Sequence, residues 1–290
     1  MAARSPTTRE VARTLTALSA AEIVDAIGAR RAPAIVRRAV EIAAHLPSRR
    51  LGRALARFDA RVAETGLSRA AVETLAIFGV HLEVAGEAPA EGPALVVTNH
   101  PGAYDALATM AALGRDDVAL VAADRAFLRA MPRLAEHLVF VADVHVCDRA
   151  AGMRRAIAWL ENGGALVQFG AGAIEPDARF LPRGVEPLAP WHLGTGLFAS
   201  RACDAGAAIV PSFVSGVHSR RAKELFVVRW AERRGIHTIA TLVQAAIPGF
   251  RDVSISVRFG APISRDSLAA AHGAAKKTEM LRRAVLAMAS

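Results

Sequence analysis

An α/β fold is what this sequence predicts: a mostly parallel or mixed sheet flanked by helices, with a helical amino-terminal extension. Three observations carry that expectation. From about residue 81 onward, short apolar runs alternate with stretches of helical spacing. The runs are nearly continuous in Val, Leu, Ile and Ala, as in strands buried on both faces. Residues 8 to about 80 read as helices without strands. The expected division is therefore a helical extension over 1–80 and an α/β domain over 81–290.

The extension reads as helices. Val11, Leu15 and Leu18 keep helical spacing, as do Val36, Val40 and Ala43, with Pro33 and Pro47 as punctuation. The clearest helix is expected to begin after Pro47, with Ser48 as its N-cap. Leu51, Leu55, Phe58 and Val62 form one apolar stripe. Arg50, Arg53, Arg57 and Arg61 form a basic stripe about 100° away. A basic amphipathic helix can lie on an anionic bilayer. It can equally pack its apolar stripe on a core and leave the arginines in water.

Strands are expected at 82–84, 94–97, 118–122, 138–141, 165–169, 208–214, 225–230 and 253–259. Helices are expected at 104–113, 126–131, 150–162, 193–205, 234–246, 267–271 and 275–287. The stretch 85–92, rich in Gly, Pro and acid, reads as an exposed loop. Pro211 inside an apolar run suggests an edge strand or a bulge.

Composition narrows the partners. The formal net charge is +9, and all but three of the cations are arginine; the lysines are Lys223, Lys276 and Lys277. Such a balance suits an anionic partner: a phospholipid surface, an acyl carrier protein, the phosphates of CoA, or nucleic acid. Arginine and alanine enrichment can also reflect genome base composition. Cys147 and Cys203 lie in no metal-binding or disulfide pattern, so no metal is expected and a reducing cytosol fits. The first eleven residues lack the apolar core of a signal peptide. No run approaches the ~18 apolar residues of a membrane span. The expected location is cytoplasmic, with contact to the inner face of the membrane from its surface.

The chemistry gathers at Asn99-His100-Pro101-Gly102-Ala103-Tyr104-Asp105, between an expected strand and an expected helix. On a continuous helix, His100 and Asp105 would point about 140° apart. They meet only if the chain folds back, which Pro101-Gly102 allows. A carboxylate can hold one ring nitrogen of a histidine and leave the other free to take a proton. The helix dipole favours negative charge at Asp105. The structural alternative is that His100 satisfies a buried turn and Asp105 caps a helix.

This block resembles the N-H-x-x-x-x-D block of the glycerolipid acyltransferases, the lysophosphatidic-acid or 1-acyl-glycerol-3-phosphate acyltransferase superfamily. Further blocks follow in the family's order. Val146-Cys147-Asp148-Arg149 is similar to a segment whose arginine touches the acceptor's phosphate. Leu160 to Pro176 is similar to the L-x-x-G-G-x-x-x-x-F-P-E-G-T-R-S block, with Gly170, Ala171 and Ile174 in place of the usual Pro, Glu and Arg. Ala171-Gly172 fits better the F-P-A-G-E form of the ornithine-lipid and haemolysin-like branch, though its glutamate has become Ala173 and Glu175 lies two residues on. Trp191 with Gly194 and Gly196, Ile209-Val210-Pro211 and Phe259-Gly260-Ala261-Pro262-Ile263 look like the later blocks.

The resemblance spans about 82–263. It implies an acyltransferase that moves a fatty acyl group from a thioester, on CoA or acyl carrier protein, to a hydroxyl of a lyso-glycerolipid or related acceptor. His100 would be the base and Asp105 its support. Backbone amides near Gly172 would hold the oxyanion. Asn99, Arg149 and, in place of the lost arginine, Arg179 or Arg183 would bind substrate. No cofactor is implied beyond the acyl-CoA or acyl carrier protein co-substrate. A catalytically inactive lipid-binding relative is one alternative. A nucleic-acid-binding protein is another, set against an aromatic content of 5% and the lack of a recognised motif. An α/β hydrolase would lack its usual nucleophile elbow here.

Overall fold

A computed structural model describes residues 6–26, 28–29, 32–102, 104–141, 146–234, 238–247, 249–250 and 252–289. The chain is an α/β protein with a seven-stranded mixed sheet flanked by helices and a helical amino-terminal region. It divides into two compact units.

The first unit comprises residues 1–81, 125–135 and 218–253, so two later segments join the amino-terminal helices. Helix α1 spans Thr8–Ala26 and α2 spans Ala34–Thr65. Contrary to the expected break, α2 runs through Pro47, and Ser48 lies buried within it rather than capping a start. A proline inside a helix costs about 3 kcal/mol. Packing along α1 supplies the compensation, since Leu15, Ala44, Ala56, Phe58 and Val62 are all buried. Gly52 sits where the two helices cross: a Cβ there would come within 2.9 Å of the Ala12 carbonyl and the Thr16 amide. Helix α3 (Leu67–Phe78) follows Gly66 and packs on α2.

The later segments of this unit are also helical. They are α5 (Ala126–Arg129), α6 (Pro132–Glu136, of which 132–135 lie in this unit), α9 (Arg220–Glu224), α10 (Phe226–Glu232) and α11 (Thr238–Ala246). Buried Asp59 of α2 accepts from the amides of Arg133 and Leu134, both at 2.9 Å, and so satisfies the start of α6. The strand expected at 225–230 is α10. Its buried residues, Val228 and Ala231, are three apart, and Phe226 is 81% exposed, so the pattern is helical rather than alternating. Ser219 caps the preceding helix, accepting from the Ala222 amide at 3.1 Å.

The second unit holds the sheet. Its strands are β1 (His81–Ala85), β2 (Ala94–Thr98), β3 (Val118–Ala123), β4 (Leu138–Val141), β5 (Ala165–Phe169), β6 (Ala208–Ser215) and β7 (Ser254–Phe259), in the order β1-β7-β6-β2-β5-β3-β4. Strands β6, β2, β5, β3 and β4 run parallel, and β7 is antiparallel to β6. All five residues of β2 are buried, as its unbroken apolar run requires of a central parallel strand. On one face Leu95, Val97, Leu166 and Ile209 pack against Leu160, Phe198, Leu281 and Val285. Those partners belong to α7 (Val146–Glu161), α8 (Gly194–Asp204) and α13 (Gly273–Leu286). Helix α4 (Asp105–Leu113) packs on β6 and β7, and α12 (Arg265–Ala270) precedes α13.

Pro211 is in an interior strand, not at an edge or a bulge. Its carbonyl accepts from Gly260 at 2.9 Å, one position past the β6–β7 ladder, which ends at Ser212 opposite Phe259. The missing N–H therefore falls one position beyond the paired residues of the β6–β7 ladder.

Candidate active site

The parallel strands fix where ligands can approach. The chain leaves β2 for β3, on the far side of β5, and leaves β5 for β6, on the other side of β2. The carboxyl ends of β2, β5 and β6 thus lie side by side at the point where the strand order reverses, the place where open α/β sheets form crevices.

From the end of β2 the chain turns through Pro101 and Gly102, whose φ of 85° favours glycine, into α4. The fold-back brings His100 Nδ1 to 2.7 Å from Asp105 Oδ2. Asp105 is buried, its side chain 2% exposed, whereas the His100 ring is 28% exposed. The carboxylate is held from its other sides as well. Oδ2 accepts from the Gly102 amide and Oδ1 from the Ala106 amide, each at 2.7 Å. The imidazole lies against Phe169 at the end of β5, ring centres 4.3 Å apart. With Nδ1–H given to Asp105, Nε2 is the nitrogen without a hydrogen-bond partner among the described residues. Burial works against the charged ring. The facing charge and hydrogen bond of Asp105, with Glu175 behind them, outweigh it and raise the His100 pKa above its ordinary 6.5.

Glu175 is the residue that sequence spacing undervalued. It is buried, and its carboxylate accepts from the amides of His100 and Ala189 at 2.9 Å and from Trp191 Nε1 at 3.1 Å. Its own amide donates to the His100 carbonyl at 2.7 Å. The loop after β5 and the loop after β2 are therefore laced together through one carboxylate. Burial pushes the Glu175 pKa up, while those three donors and the His100 charge pull against it. The signal in the sequence was a lone acid beside Pro176, two positions late for the family block.

Gly170 explains itself by contact. A Cβ there would lie 2.3 Å from the Trp191 ring, so only glycine lets the indole cover the strand end. Gly172, with φ 65° and open space beside it, keeps the loop at the surface. Its own N–H donates to Phe169 at 3.2 Å and is used in the turn. The neighbouring amides of Ala171 and Ala173 make no hydrogen bond among the described residues.

The other expected residues separate. Asn99 is fully buried, and both ends of its amide are used on the Val214 backbone, at 2.7 and 2.8 Å. It ties the ends of β2 and β6 together, one N–H and the oxygen of its amide being spent on that tie. Arg179 lies exposed in a short 3-10 turn (Ala178–Phe180), with its guanidinium against Gly216 after β6. Buried Asp177 accepts from the amides of both Gly216 and Arg179 and so fixes that approach. Arg183 is exposed in the following loop. The side chain of Arg149 lies outside the described residues, although its backbone is in the first turn of α7. Among the described residues no cluster of His, Cys, Asp and Glu is placed to hold a metal ion.

The fold and site together define an α/β protein with a histidine–carboxylate pair at the carboxyl edge of its parallel strands. No family model matches the chain, and no curated protein matches it. Among solved structures it is similar to the 1-acyl-sn-glycerophosphate (LPA) acyltransferase PlsC from Thermotoga maritima. The identity is 14%, the TM-score is 0.45, and the match covers 96% of this chain and 97% of that one. What the site can do follows from its own residues.

Proposed function

We propose that the chain is an acyltransferase that moves a fatty acyl group from a thioester, carried on CoA or acyl carrier protein, to a hydroxyl of a lyso-glycerolipid or related acceptor. The observation that carries this is the 2.7 Å contact between His100 Nδ1 and buried Asp105 at the rim of three parallel strands. It gives physical form to the sequence block that resembles the acyltransferases.

Neutral Nε2 takes the proton of the acceptor hydroxyl as its oxygen attacks the thioester carbonyl carbon. Asp105 holds the ring and stabilises the imidazolium that forms. The oxyanion of the tetrahedral intermediate is met by the amides of Ala171 or Ala173, beside Gly172. The C–S bond then breaks, the imidazolium returns its proton to the departing sulfur, and an ester and a thiol remain. Arg179, Arg183 and Arg149 are the candidates for the acceptor's anionic head group, since a guanidinium matches a phosphate in a two-pronged geometry. No described helix is long and apolar enough to cross a membrane. Exposed Ile35, Ile42 and Leu46 on α2 support contact with a lipid surface from one side, at the inner face of the membrane.

The test is to incubate the purified protein with radiolabelled acyl-CoA or acyl carrier protein and a membrane lipid extract, then identify the labelled product. A labelled ester lost in His100→Ala supports the proposal. Labelled free fatty acid alone makes the protein a hydrolase. No turnover with either donor makes it a binding protein.

A further inference from the structure

The amino-terminal helices carry a second collection of functional groups that the acyl-transfer chemistry does not use. Arg49, Arg53 and Arg57 follow one another at intervals of four along α2, so they stand in one row about 12 Å long. His45 continues that row by one turn. Arg9 and Arg13, four apart on α1, face it across a recess of about 730 Å³. Ala12, Ala17 and Ala56 form the apolar part of its lining, and no acidic side chain lines it.

The contrast with the rest of α2 is informative. Arg37 and Arg38 pair with Glu41, and Arg61 pairs with Glu64 and with Glu73, the latter at 2.7 Å. The basic stripe expected at 50, 53, 57 and 61 is therefore divided: Arg61 is engaged, and Arg49 rather than Arg50 continues the row. Arg9, Arg49, Arg53 and Arg57 make no hydrogen bond or ion pair among the described residues. Arg13 is near one acid, Glu10, without a direct bond. Like charges four apart on a helix repel one another. Two helices bring five guanidinium groups to one recess, and an anion entering it relieves that repulsion. Guanidinium is the side chain best matched to phosphate oxygens, and one recess with several of them favours several phosphate charges close together.

We propose that the recess between α1 and α2 is a binding site for clustered phosphate charge: a phosphomonoester or polyphosphate carrying two or more negative charges. A soluble nucleotide and a lipid with a phosphomonoester head both present that chemistry. The site is separate from the acyl-transfer proposal and stands if that proposal fails.

The test uses the full chain and direct binding measurements. The soluble arm titrates ATP, coenzyme A and inorganic phosphate by calorimetry. The lipid arm measures sedimentation with phosphatidylcholine vesicles containing either phosphatidic acid or the same charge of phosphatidylglycerol. Expected is saturable binding in one arm: the nucleotides more tightly than inorganic phosphate, or phosphatidic acid vesicles more tightly than phosphatidylglycerol vesicles. Whichever arm responds names the source of the phosphate. The double variant Arg49→Ala/Arg53→Ala weakens that binding tenfold or more. Arg50→Ala, exposed on the same helix but outside the recess, leaves it unchanged. Arg49→Lys/Arg53→Lys keeps the charge but not the planar fork and falls between. These side chains are exposed, and a matching circular dichroism melt shows that each variant folds. Binding in neither arm overturns the proposal. So does equal loss in Arg50→Ala, or no preference for phosphatidic acid over phosphatidylglycerol with no nucleotide binding, either of which reduces the arginines to a diffuse positive surface.

Discussion

At the residue scale, the proposed acyl transfer rests on one imidazole and the two carboxylates beside it. General-base assistance is worth about 10²–10⁴-fold, so His100→Ala is expected to lower kcat by that factor in the acyl-transfer assay with the fold retained. The pH profile follows from the direction of the His100 shift. A base must be neutral to accept a proton, and the folded pKa lies above 6.5, so kcat/KM rises with pH along a limb centred above 6.5. Asp105→Asn removes the facing charge that raises this pKa and leaves one acceptor oxygen in place of two, so its remaining activity rises at lower pH than the parent's. Stability has the opposite sign. A histidine whose pKa is raised on folding stabilises the native state fully below 6.5 and loses that contribution as pH climbs through the folded value. Glu175→Gln tests the second carboxylate. Glutamine offers one acceptor oxygen and an NH₂ group to three donors, so one of the His100, Ala189 or Trp191 N–H groups faces a donor. The expected result is a tenfold or greater loss of kcat, with the pH limb moved toward acid because the Glu175 charge no longer supports the imidazolium. A purely structural role would lower the melting temperature and leave the limb in place. His100 and Asp105 were legible in the sequence because they are five positions apart across a Pro-Gly turn. The Asn99–Val214 tie, 115 positions apart, left no local mark and could be seen only in the folded sheet.

At the scale of elements, the strands of the sheet lay within one residue of their expected ends, exposed β1 as well as buried β2. The core strands β2, β4 and β5 are mostly apolar, broken only by Thr98 and Gln168. The run at 225–230, five apolar residues around Arg229, falls largely in α10, because so short a run does not distinguish a strand from a half-exposed helix. Pro47 misled in the other direction: α2 continues through it because the packing of its apolar side on α1 outweighs one lost hydrogen bond. That packing makes a sharp prediction at Gly52. Alanine is the better helix former by about 1 kcal/mol, so in an isolated helix Gly52→Ala would stabilise. Here the added Cβ meets backbone atoms of α1 at 2.9 Å, which cannot step aside as a side chain tip does. The expected outcome is a net destabilisation of about 1–3 kcal/mol, read as a lower urea midpoint. Gly170→Ala is the same argument at the site. The Cβ drives against the Trp191 ring, which also donates to Glu175, so activity and stability fall together.

At the scale of the whole molecule, the excess of 36 basic over 27 acidic residues gives a field that reaches beyond any one contact. If the chain meets its lipid substrate at an anionic surface, that field assists the encounter, and ionic strength controls it. The Debye length is about 10 Å at 0.1 M salt and about 3 Å at 1 M, so long-range attraction is lost across that range while the short contacts of His100 and Asp105 are not. Turnover on an acceptor dispersed in anionic vesicles is therefore expected to fall steeply between 0.05 and 0.5 M salt (roughly a threefold change in screening length). The same acceptor in neutral detergent micelles should show little change. The His100–Asp105 contact is short and its carboxylate buried, so in the proposed reaction salt is expected to leave the chemical step alone. A salt effect of equal size on micelles and vesicles would place it in the catalytic corner or in the fold itself and would remove the membrane field from the account. An effect confined to vesicles, abolished when the anionic lipid is replaced by phosphatidylcholine, ties the arginine excess to the surface on which the substrate lies.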